Sequence, residues 1–298
     1  METDGIGFIG LGVMGGPMCR NLAAKHGGEL RAFDLSAPAR EALRDSRATL
    51  VEEAAAAVEG ADILFLSLPG AAQVEAVCRD LVGARRPGLL VVDLSTTTVS
   101  SARRTAALLE GAGMGFADAP VARTREAAIR GELSIMVGAS AEVFARIHPL
   151  LAHIGSEVTH CGGVGTGQAV KLINNALVFE HTAALAEMMA IGERSGVAPA
   201  VLLEAVSRGS GDSFVLRNHG RKAMLPRDFP ERAFPSQYVL KDIAGVLELA
   251  GDTGIPARMA ETARDYYAEV VRRGQGSRYF PVVLELIAGR LDEPGGNA

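Results

Sequence analysis

The sequence predicts an α/β domain built on a doubly wound, mostly parallel sheet, followed by an all-α helical domain. Three observations carry this expectation. Short apolar runs alternate with helical segments through the first half of the chain. A glycine-rich turn, Gly10-Leu-Gly-Val-Met-Gly15, joins the first apolar run to the first helix. After Cys161-Gly-Gly the punctuation thins and helical periodicity takes over. Strand-helix alternation favours parallel strands with helices packed on both faces.

The elements follow in order. Ile6 to Ile9 reads as a strand and Met14 to His26 as a helix. Leu30 to Phe33 is a second strand, followed by helical segments at Pro38 to Asp45 and Glu52 to Val58. Ile63 to Leu66 is the next strand and Gln73 to Leu81 a helix. Leu89 to Val92, Val99 to Gly111 and Gly115 to Asp118 read as strand, helix and strand. Leu133 to Val137 adds a strand and Ala141 to His153 a helix. The second half reads as helices from Gly167 to Ser195, Pro199 to Ser207, Ser236 to Thr253, Ala257 to Arg273 and Pro281 to Leu291. Pro199 suits a first helical turn. Gly209 to Pro235 is polar and proline-punctuated and reads as a loop, and Glu293 to Ala298 as a frayed tail. The boundary falls near residues 160–166, giving domains 1–163 and 164–298.

Composition sets bounds on function. The 298 residues suffice for two domains, and 48% apolar against 22% charged residues is a globular balance. With a net charge of -5 and no basic run, neither nucleic acid nor an anionic membrane is an expected partner. The three cysteines, Cys19, Cys78 and Cys161, are far apart and have no metal-ligand spacing, so free thiols in a reducing cytosol and no metal are expected. No signal peptide is read at the N-terminus, and no apolar run approaches the ~20 residues of a membrane span. A soluble cytoplasmic protein is expected.

The glycine turn has a chemical reading. Gly10, Gly12 and Gly15 permit a tight turn, close approach of a pyrophosphate to backbone, and close helix-strand packing; Leu11, Val13 and Met14 complete the loop. The helix that follows offers free N–H groups and a favourable dipole to phosphate. In this setting the motif marks a Rossmann domain. Asp34 ends the second strand, where a carboxylate accepts hydrogen bonds from the adenosine ribose. Leu35 and Ser36 follow, with no adjacent arginine for a 2′-phosphate, so NAD is favoured over NADP; Arg31 and Arg40 are nearby. Ser67-Leu-Pro-Gly70 and Asp93-Leu-Ser-Thr96 end two further strands at the edge where such sheets bind ligands.

The most informative stretch is Gly165-Thr-Gly-Gln-Ala-Val-Lys-Leu-Ile-Asn-Asn175. Lys171 and Asn175 lie four residues apart, on one helical face, and can reach the same small molecule. A lone helical lysine is usually a solvated charge. Here Ala169, Val170, Leu172 and Ile173 read as core residues, and a lysine among them can have a lowered pKa that suits proton transfer near neutrality.

Taken together, Gly7 to Gly15, Leu68-Pro69, Asp93-Leu-Ser-Thr96, Asp118-Ala-Pro-Val121, Gly165 to Asn175 and Lys241-Asp242 resemble the β-hydroxyacid dehydrogenase family over nearly the whole chain. The resemblance implies a Rossmann domain followed by a helical domain, the active site in the cleft between them, and a homodimer or homotetramer assembled through the helical domain. It implies Lys171 as catalytic acid-base and Asn175 as the group that orients substrate. Leu68, Pro69 and Thr96 would line the cofactor site, and Lys241 would lie near the cofactor and help close the cleft. Phe234 would pack near the nicotinamide or serve in the core.

One segment departs from the family. Most members continue after Asp118-Ala-Pro-Val121 with Ser-Gly-Gly, which holds the substrate carboxylate; this chain has Ala122-Arg123-Thr124. Arg123 can offer forked donors to a carboxylate or a tetrahedral oxyanion, or it is a surface arginine facing water. The pattern Pro-Val-x-Arg-Thr with Asn174-Asn175 looks like the 3-sulfolactaldehyde reductase branch, although Val178 stands where that branch has a small hydroxyl residue. Gly274-Gln-Gly276 keeps part of a family motif, with Tyr279-Phe280 where an acidic residue is common. The expected activity is NAD(H)-dependent hydride transfer between a short anionic hydroxy acid and its semialdehyde. Arg123, Thr124, Ser95 and Asn174 would fix the acid group. 3-Hydroxyisobutyrate dehydrogenase and tartronate semialdehyde reductase activities are the alternatives. Oxidative decarboxylation, as in the related 6-phosphogluconate dehydrogenases, and an inactive cofactor-binding scaffold are more distant ones.

Overall fold

The computed structural model describes residues 4–231 and 233–291; the expected tail from Glu293 to Ala298 lies outside them. The chain divides into two compact units, through Lys171 and from Leu172 onward.

The first unit is a nine-stranded sheet. Its strands are β1 (Ile6–Ile9), β2 (Leu30–Phe33), β3 (Thr49–Leu50), β4 (Ile63–Leu66), β5 (Leu90–Asp93), β6 (Gly115–Asp118), β7 (Val121–Ala122), β8 (Leu133–Gly138) and β9 (Gly155–Gly162). They lie in the order β3-β2-β1-β4-β5-β6-β8-β7, with β9 also paired to β8. β3 through β6 pair in parallel, while β6 and β7 run antiparallel to β8. The strand order reverses between β1 and β4, which opens a crevice at their carboxyl ends.

Side-chain alternation gives the sheet two buried faces. Ile6, Phe8, Ile63, Phe65, Leu90 and Val92 point to one face, with Met18, Cys19 and Leu22 of helix α1 (Gly15–Lys25) and Ile147 and Leu151 of α7 (Ala141–Leu151). Ile9, Leu64, Leu66 and Val91 point to the other, with Val74, Cys78 and Leu81 of α4 (Ala71–Ala84) and Leu109 of α5 (Val99–Glu110). The short α2 (Ala37–Glu41), α3 (Ala54–Val58) and α6 (Arg125–Arg130) complete the unit. Sequence reading missed β3, β7, α6 and β9. Two-residue strands carry no periodicity, and β9 is mostly solvent-facing and polar.

The helix α8 (Thr166–Arg194) begins in the first unit and continues into the second. The second unit adds α9 (Pro199–Val206), α10 (Ser236–Thr253), α11 (Arg258–Arg272) and α12 (Val283–Ile287), the last preceded by a 3₁₀ turn at Phe280–Val282. Its core joins Phe179 and Met189 of α8, Val239 and Ile243 of α10, Tyr267 and Val270 of α11, and Phe280. Gly245 lets α10 approach α8 closely: a Cβ there would lie 2.9 Å from Leu172 Cδ2.

Two expectations need correction. The segment from Gly209 to Pro235 is not all loop. It contains a π-helix, Leu216–Met224, that buries Leu216, Gly220, Ala223 and Met224. Its prolines and polar residues hide the apolar side, and Gly220 sits against Leu185. On α8, Val170 and Ile173 are not core residues; they are 41% and 47% exposed. The buried stripe runs through Leu172, Ala176, Phe179 and Ala183, while Val170, Ile173 and Leu177 form an apolar stripe on another side.

Candidate active site

The glycine loop sits at the carboxyl end of β1. Gly10 has φ 100, and a Cβ on it would overlap the Ser67 carbonyl oxygen. A Cβ on Gly15 would overlap the Gly10 carbonyl oxygen. Gly12 is different: nothing in the chain lies within 4 Å of its Cβ position. Gly10 and Gly15 serve the chain's own packing, and Gly12 leaves space open to solvent. No side chain caps the N-terminus of α1 and no acid sits in its first turn, so that positive end is left for an anion.

Asp34 supports this loop. Its Oδ2 accepts from Leu11 N–H at 2.6 Å and its Oδ1 from Ser36 N–H at 2.7 Å. Each oxygen keeps a second lone pair that a ribose diol can use. Leu11 is buried, and its N–H is engaged by Asp34, so it belongs to the foundation of the loop rather than to its ligand-facing surface. Val13 is exposed and Met14 half-buried. Leu35, beyond Asp34, is 91% exposed. Arg40 is committed elsewhere. It donates to the Asp34 carbonyl oxygen and to Glu52, each at 2.6 Å, and lies over the Phe33 ring. These residues fit NAD and leave no guanidinium poised for a 2′-phosphate.

The ends of β4 and β5 meet in the same unit. Leu68 donates its N–H to Ser95 Oγ at 2.8 Å, and Ser95 N–H donates to Asp93 Oδ1 at 2.9 Å. Ser95 is buried, so its hydroxyl oxygen positions the Leu68-Pro69 loop. Pro69 is exposed and Thr96 half-buried at this edge. The buried Gln168 of α8 ties the β5 loop to the lysine helix: its Oε1 accepts from Thr97 N–H at 3.0 Å and its Nε2 donates to the Ser95 carbonyl oxygen at 2.8 Å.

Lys171 is buried, 8% exposed, in the second turn of α8. One turn further, Asn175 donates through Nδ2 to Asp242 Oδ2 at 2.7 Å, and its Oδ1 accepts from Asn174 Nδ2 at 3.2 Å. Asp242 is buried on α10, which fixes which way the Asn175 amide faces. Lys241 is half-exposed, with Nζ 3.8 Å from Asp242 Oδ1. Phe234 lies beside the second unit's aromatic core, 6.0 Å from both Phe179 and Phe280 between ring centroids.

The unusual segment has an unusual backbone. Arg123 follows β7 with φ 85, a conformation that favours glycine. Its Nη1 donates to the Glu132 carbonyl oxygen at 2.6 Å and to Ser156 Oγ at 2.9 Å. Arg123 is therefore a surface residue engaged by its own unit, not a bare fork. Both bonds use Nη1, so its other N–H groups can still meet an acid. Thr124 is exposed at the start of α6. Among the described residues, no group of three or more His, Cys, Asp or Glu side chains could hold a metal ion, and no helix is long and apolar enough to cross a membrane.

A family model described as the NAD binding domain of 6-phosphogluconate dehydrogenase matches residues 5–163. One described as NAD-binding of NADP-dependent 3-hydroxyisobutyrate dehydrogenase matches residues 165–287. The 2-(hydroxymethyl)glutarate dehydrogenase of Eubacterium barkeri is 34% identical over 284 residues, 94% of each chain. The chain belongs to the β-hydroxyacid dehydrogenase family. It is an NAD-dependent oxidoreductase acting on CH–OH groups. This dehydrogenase is also 34% identical over 290 residues to the NAD-dependent L-serine dehydrogenase of Pseudomonas aeruginosa, covering 94% of this chain and 97% of that one. The solved Mycobacterium tuberculosis 3-hydroxyisobutyrate dehydrogenase with L-serine superimposes with a TM-score of 0.88 at 28% identity, covering 96% and 99%.

Three supporting residues of the dehydrogenase escape sequence reading: Asp118, Gln168 and Asp242. Each was visible as part of a motif. Its partner was not, because the bonds join residues 47 to 73 positions apart.

Proposed function

We propose that this protein catalyses reversible hydride transfer between NAD(H) and a short-chain anionic β-hydroxy acid or its semialdehyde, with Lys171 as the general acid-base. One observation carries the reading: a buried lysine stands one helical turn before an asparagine whose amide is fixed by a buried carboxylate. NAD, when bound, supplies the two-electron chemistry by accepting or giving up a hydride. The chain's residues handle the proton. In oxidation, neutral Lys171 Nζ takes the hydroxyl proton as the C–H bond gives up its hydride. In reduction, the Lys171 ammonium returns a proton to the carbonyl oxygen. Asn175, oriented by Asp242, hydrogen-bonds the reacting oxygen and holds it at Lys171. Gly12, Val13, Met14, Asp34, Leu68, Pro69 and Thr96 bind the cofactor.

For the substrate we favour a sulfonate-bearing semialdehyde of the 3-sulfolactaldehyde type. Arg123 and Thr124 support this choice, since they put a cation and a hydroxyl where most of the family has glycines. Asn174 assists, and Ser95 contributes by holding the Leu68 loop. The carboxylate substrates of 3-hydroxyisobutyrate dehydrogenase and tartronate semialdehyde reductase form the second reading, favoured by the relatives' hydroxy-acid chemistry. The exposed stripe of Val170, Ile173 and Leu177 supports a homodimer or homotetramer; a monomeric mass by light scattering would remove that part.

The deciding experiment is NADH oxidation with 3-sulfolactaldehyde, succinic semialdehyde, tartronate semialdehyde and methylmalonate semialdehyde, for wild type and Lys171→Ala. Loss of turnover with NADH binding retained is expected of the variant. A normal kcat in Lys171→Ala overturns the lysine's role. Equal kcat/KM for sulfonate and carboxylate substrates overturns the substrate choice.

A further inference from the structure

Asp118 ends β6, fully buried, and its carboxylate meets the start of the lysine helix. Gly165 occupies the N-cap of α8: its carbonyl oxygen accepts from Ala169 N–H at 3.0 Å. Its φ of 92 favours glycine, so this helix has no capping side chain of its own. Asp118 takes that place from another element. Oδ1 accepts from Gly165 N–H at 2.6 Å and Oδ2 from Gln168 N–H at 2.8 Å. The surroundings are shaped to admit the group. A Cβ on Gly167 would lie 2.8 Å from Asp118 Oδ2, and one on Gly138 would overlap Oδ1. Lys171 follows three residues after Gln168, in the turn that these bonds set.

We infer that Asp118 is a positioning residue for proton transfer: its ionised carboxylate fixes the first turn of α8 and thereby holds Lys171 at the reacting oxygen. The inference rests on the reading of Lys171 as acid-base. A neutral cap would satisfy the same N–H groups without the cost of burying a charge. Burial pushes the Asp118 carboxyl up to about 6, against the opposing pull of its backbone N–H bonds. Once protonated, the carboxyl loses its charge and its hydroxyl oxygen becomes a weaker acceptor, so its hold on the two N–H groups loosens. Among the titratable or charged groups on the elements around it, Asp93 is its register partner on β5, Cys161 on β9 feels its charge, Arg103 of α5 lies beside Gly165, and Lys171 follows on α8 itself. The sign separates activity from unfolding. Because the folded value lies above the ordinary carboxyl value, the folded chain takes the proton more readily. Acidification from about 6 to 4 through this group therefore adds stability. A loss of turnover there is not unfolding caused by Asp118.

The test is aldehyde reduction, where a protonated Lys171 is required and the lysine cannot produce an acid limb. With the best-turned-over aldehyde of the panel at saturation, wild-type kcat is expected to fall about tenfold from pH 7 to 5 with far-UV circular dichroism unchanged. Asp118→Asn is expected to lower kcat at pH 7.5 by about 10- to 100-fold, to keep the NADH Kd within about threefold, and to lose the acid limb. A wild-type kcat that is flat between pH 7.5 and 5 overturns the proposal, and does so whether or not the variant folds. A folded Asp118→Asn with wild-type kcat, or with the acid limb intact, overturns it too. Lys171→Ala run alongside distinguishes the two failures: if it is inactive, the lysine reading stands and only the role of Asp118 has failed. If it retains normal kcat, or if wild type reduces no aldehyde, the lysine reading itself has failed.

Discussion

Gly12→Ala separates what the glycine loop does for its own chain from what it does for a ligand. Nothing in the chain lies within 4 Å of the Cβ position, and Gly12 is not among the glycines of positive φ. The added methyl therefore meets no protein atom, and by restricting the unfolded chain it changes stability by about +0.4–1 kcal/mol. Against a pyrophosphate the same methyl is an obstruction. Displacing the phosphate from one charge-assisted N–H bond costs about 1.5–3 kcal/mol, a ~10- to 150-fold rise in Kd. Gly15→Ala is the contrast, because its Cβ overlaps the Gly10 carbonyl oxygen and must disturb the fold. The assay pairs NADH titration by fluorescence with thermal melting. Gly12→Ala should keep or raise Tm while losing NADH affinity; Gly15→Ala should lose both. An NADH Kd within threefold of wild type in a folded Gly12→Ala protein would refute the assignment of that open space to the cofactor.

Two further substitutions probe the substrate side. Arg123→Ala loses both side-chain bonds while keeping φ 85, whereas Arg123→Gly loses the bonds and relieves the backbone. The glycine variant should be more stable by about 1 kcal/mol in urea unfolding, with KM for anionic aldehydes raised in both; equal stability would show that the turn is unstrained. Asp242→Ala leaves the Asn175 amide without its buried acceptor, at a cost of about 1–3 kcal/mol, and should lower kcat more than it raises the NADH Kd. An unchanged kcat at an unchanged Kd would leave Asp242 with a packing role alone.

The parts legible in the sequence are those whose signal is local. Phe8 and Ile9 point to opposite faces of the sheet, as strand periodicity requires, and both faces are buried. The glycine loop announced itself because strand, turn and helix are contiguous. Lys171 stands out in the sequence through its spacing to Asn175, and the fold buries it. What stayed hidden is set by distant partners or by backbone conformation. β9 shows little apolar alternation because most of its side chains face solvent. The π-helix at Leu216–Met224 has a period that a 3.6-residue search does not match. Val170 and Ile173 look like core beside Lys171, yet the helix turns them away from the buried stripe. The left-handed backbone of Arg123 follows from no rule about arginine and is seen only in the fold.

The candidate site assigns its polar groups by depth. Lys171 and Asn175 stand one turn apart on α8, and each rests on a buried aspartate that the ligand need not touch. Asp118 fixes the helical turn through two N–H bonds, and Asp242 fixes the amide through one. Asp118 accepts from backbone N–H groups of the helix and Asp242 holds the Asn175 side-chain amide to one orientation, so each defines a direction. Arg123 and Thr124, by contrast, are exposed, and the bonds of Arg123 can be exchanged for those of an acid group. Rigid support behind the pair proposed to transfer the proton, and adaptable groups at the surface, are what a constant reaction with variable substrates requires. On that reasoning, replacing Ala122-Arg123-Thr124 by Ser-Gly-Gly should move substrate preference among sulfonate and carboxylate aldehydes while the acid limb set by Asp118 stays in place. A graft that moved the acid limb instead would mean that the two layers are not separable.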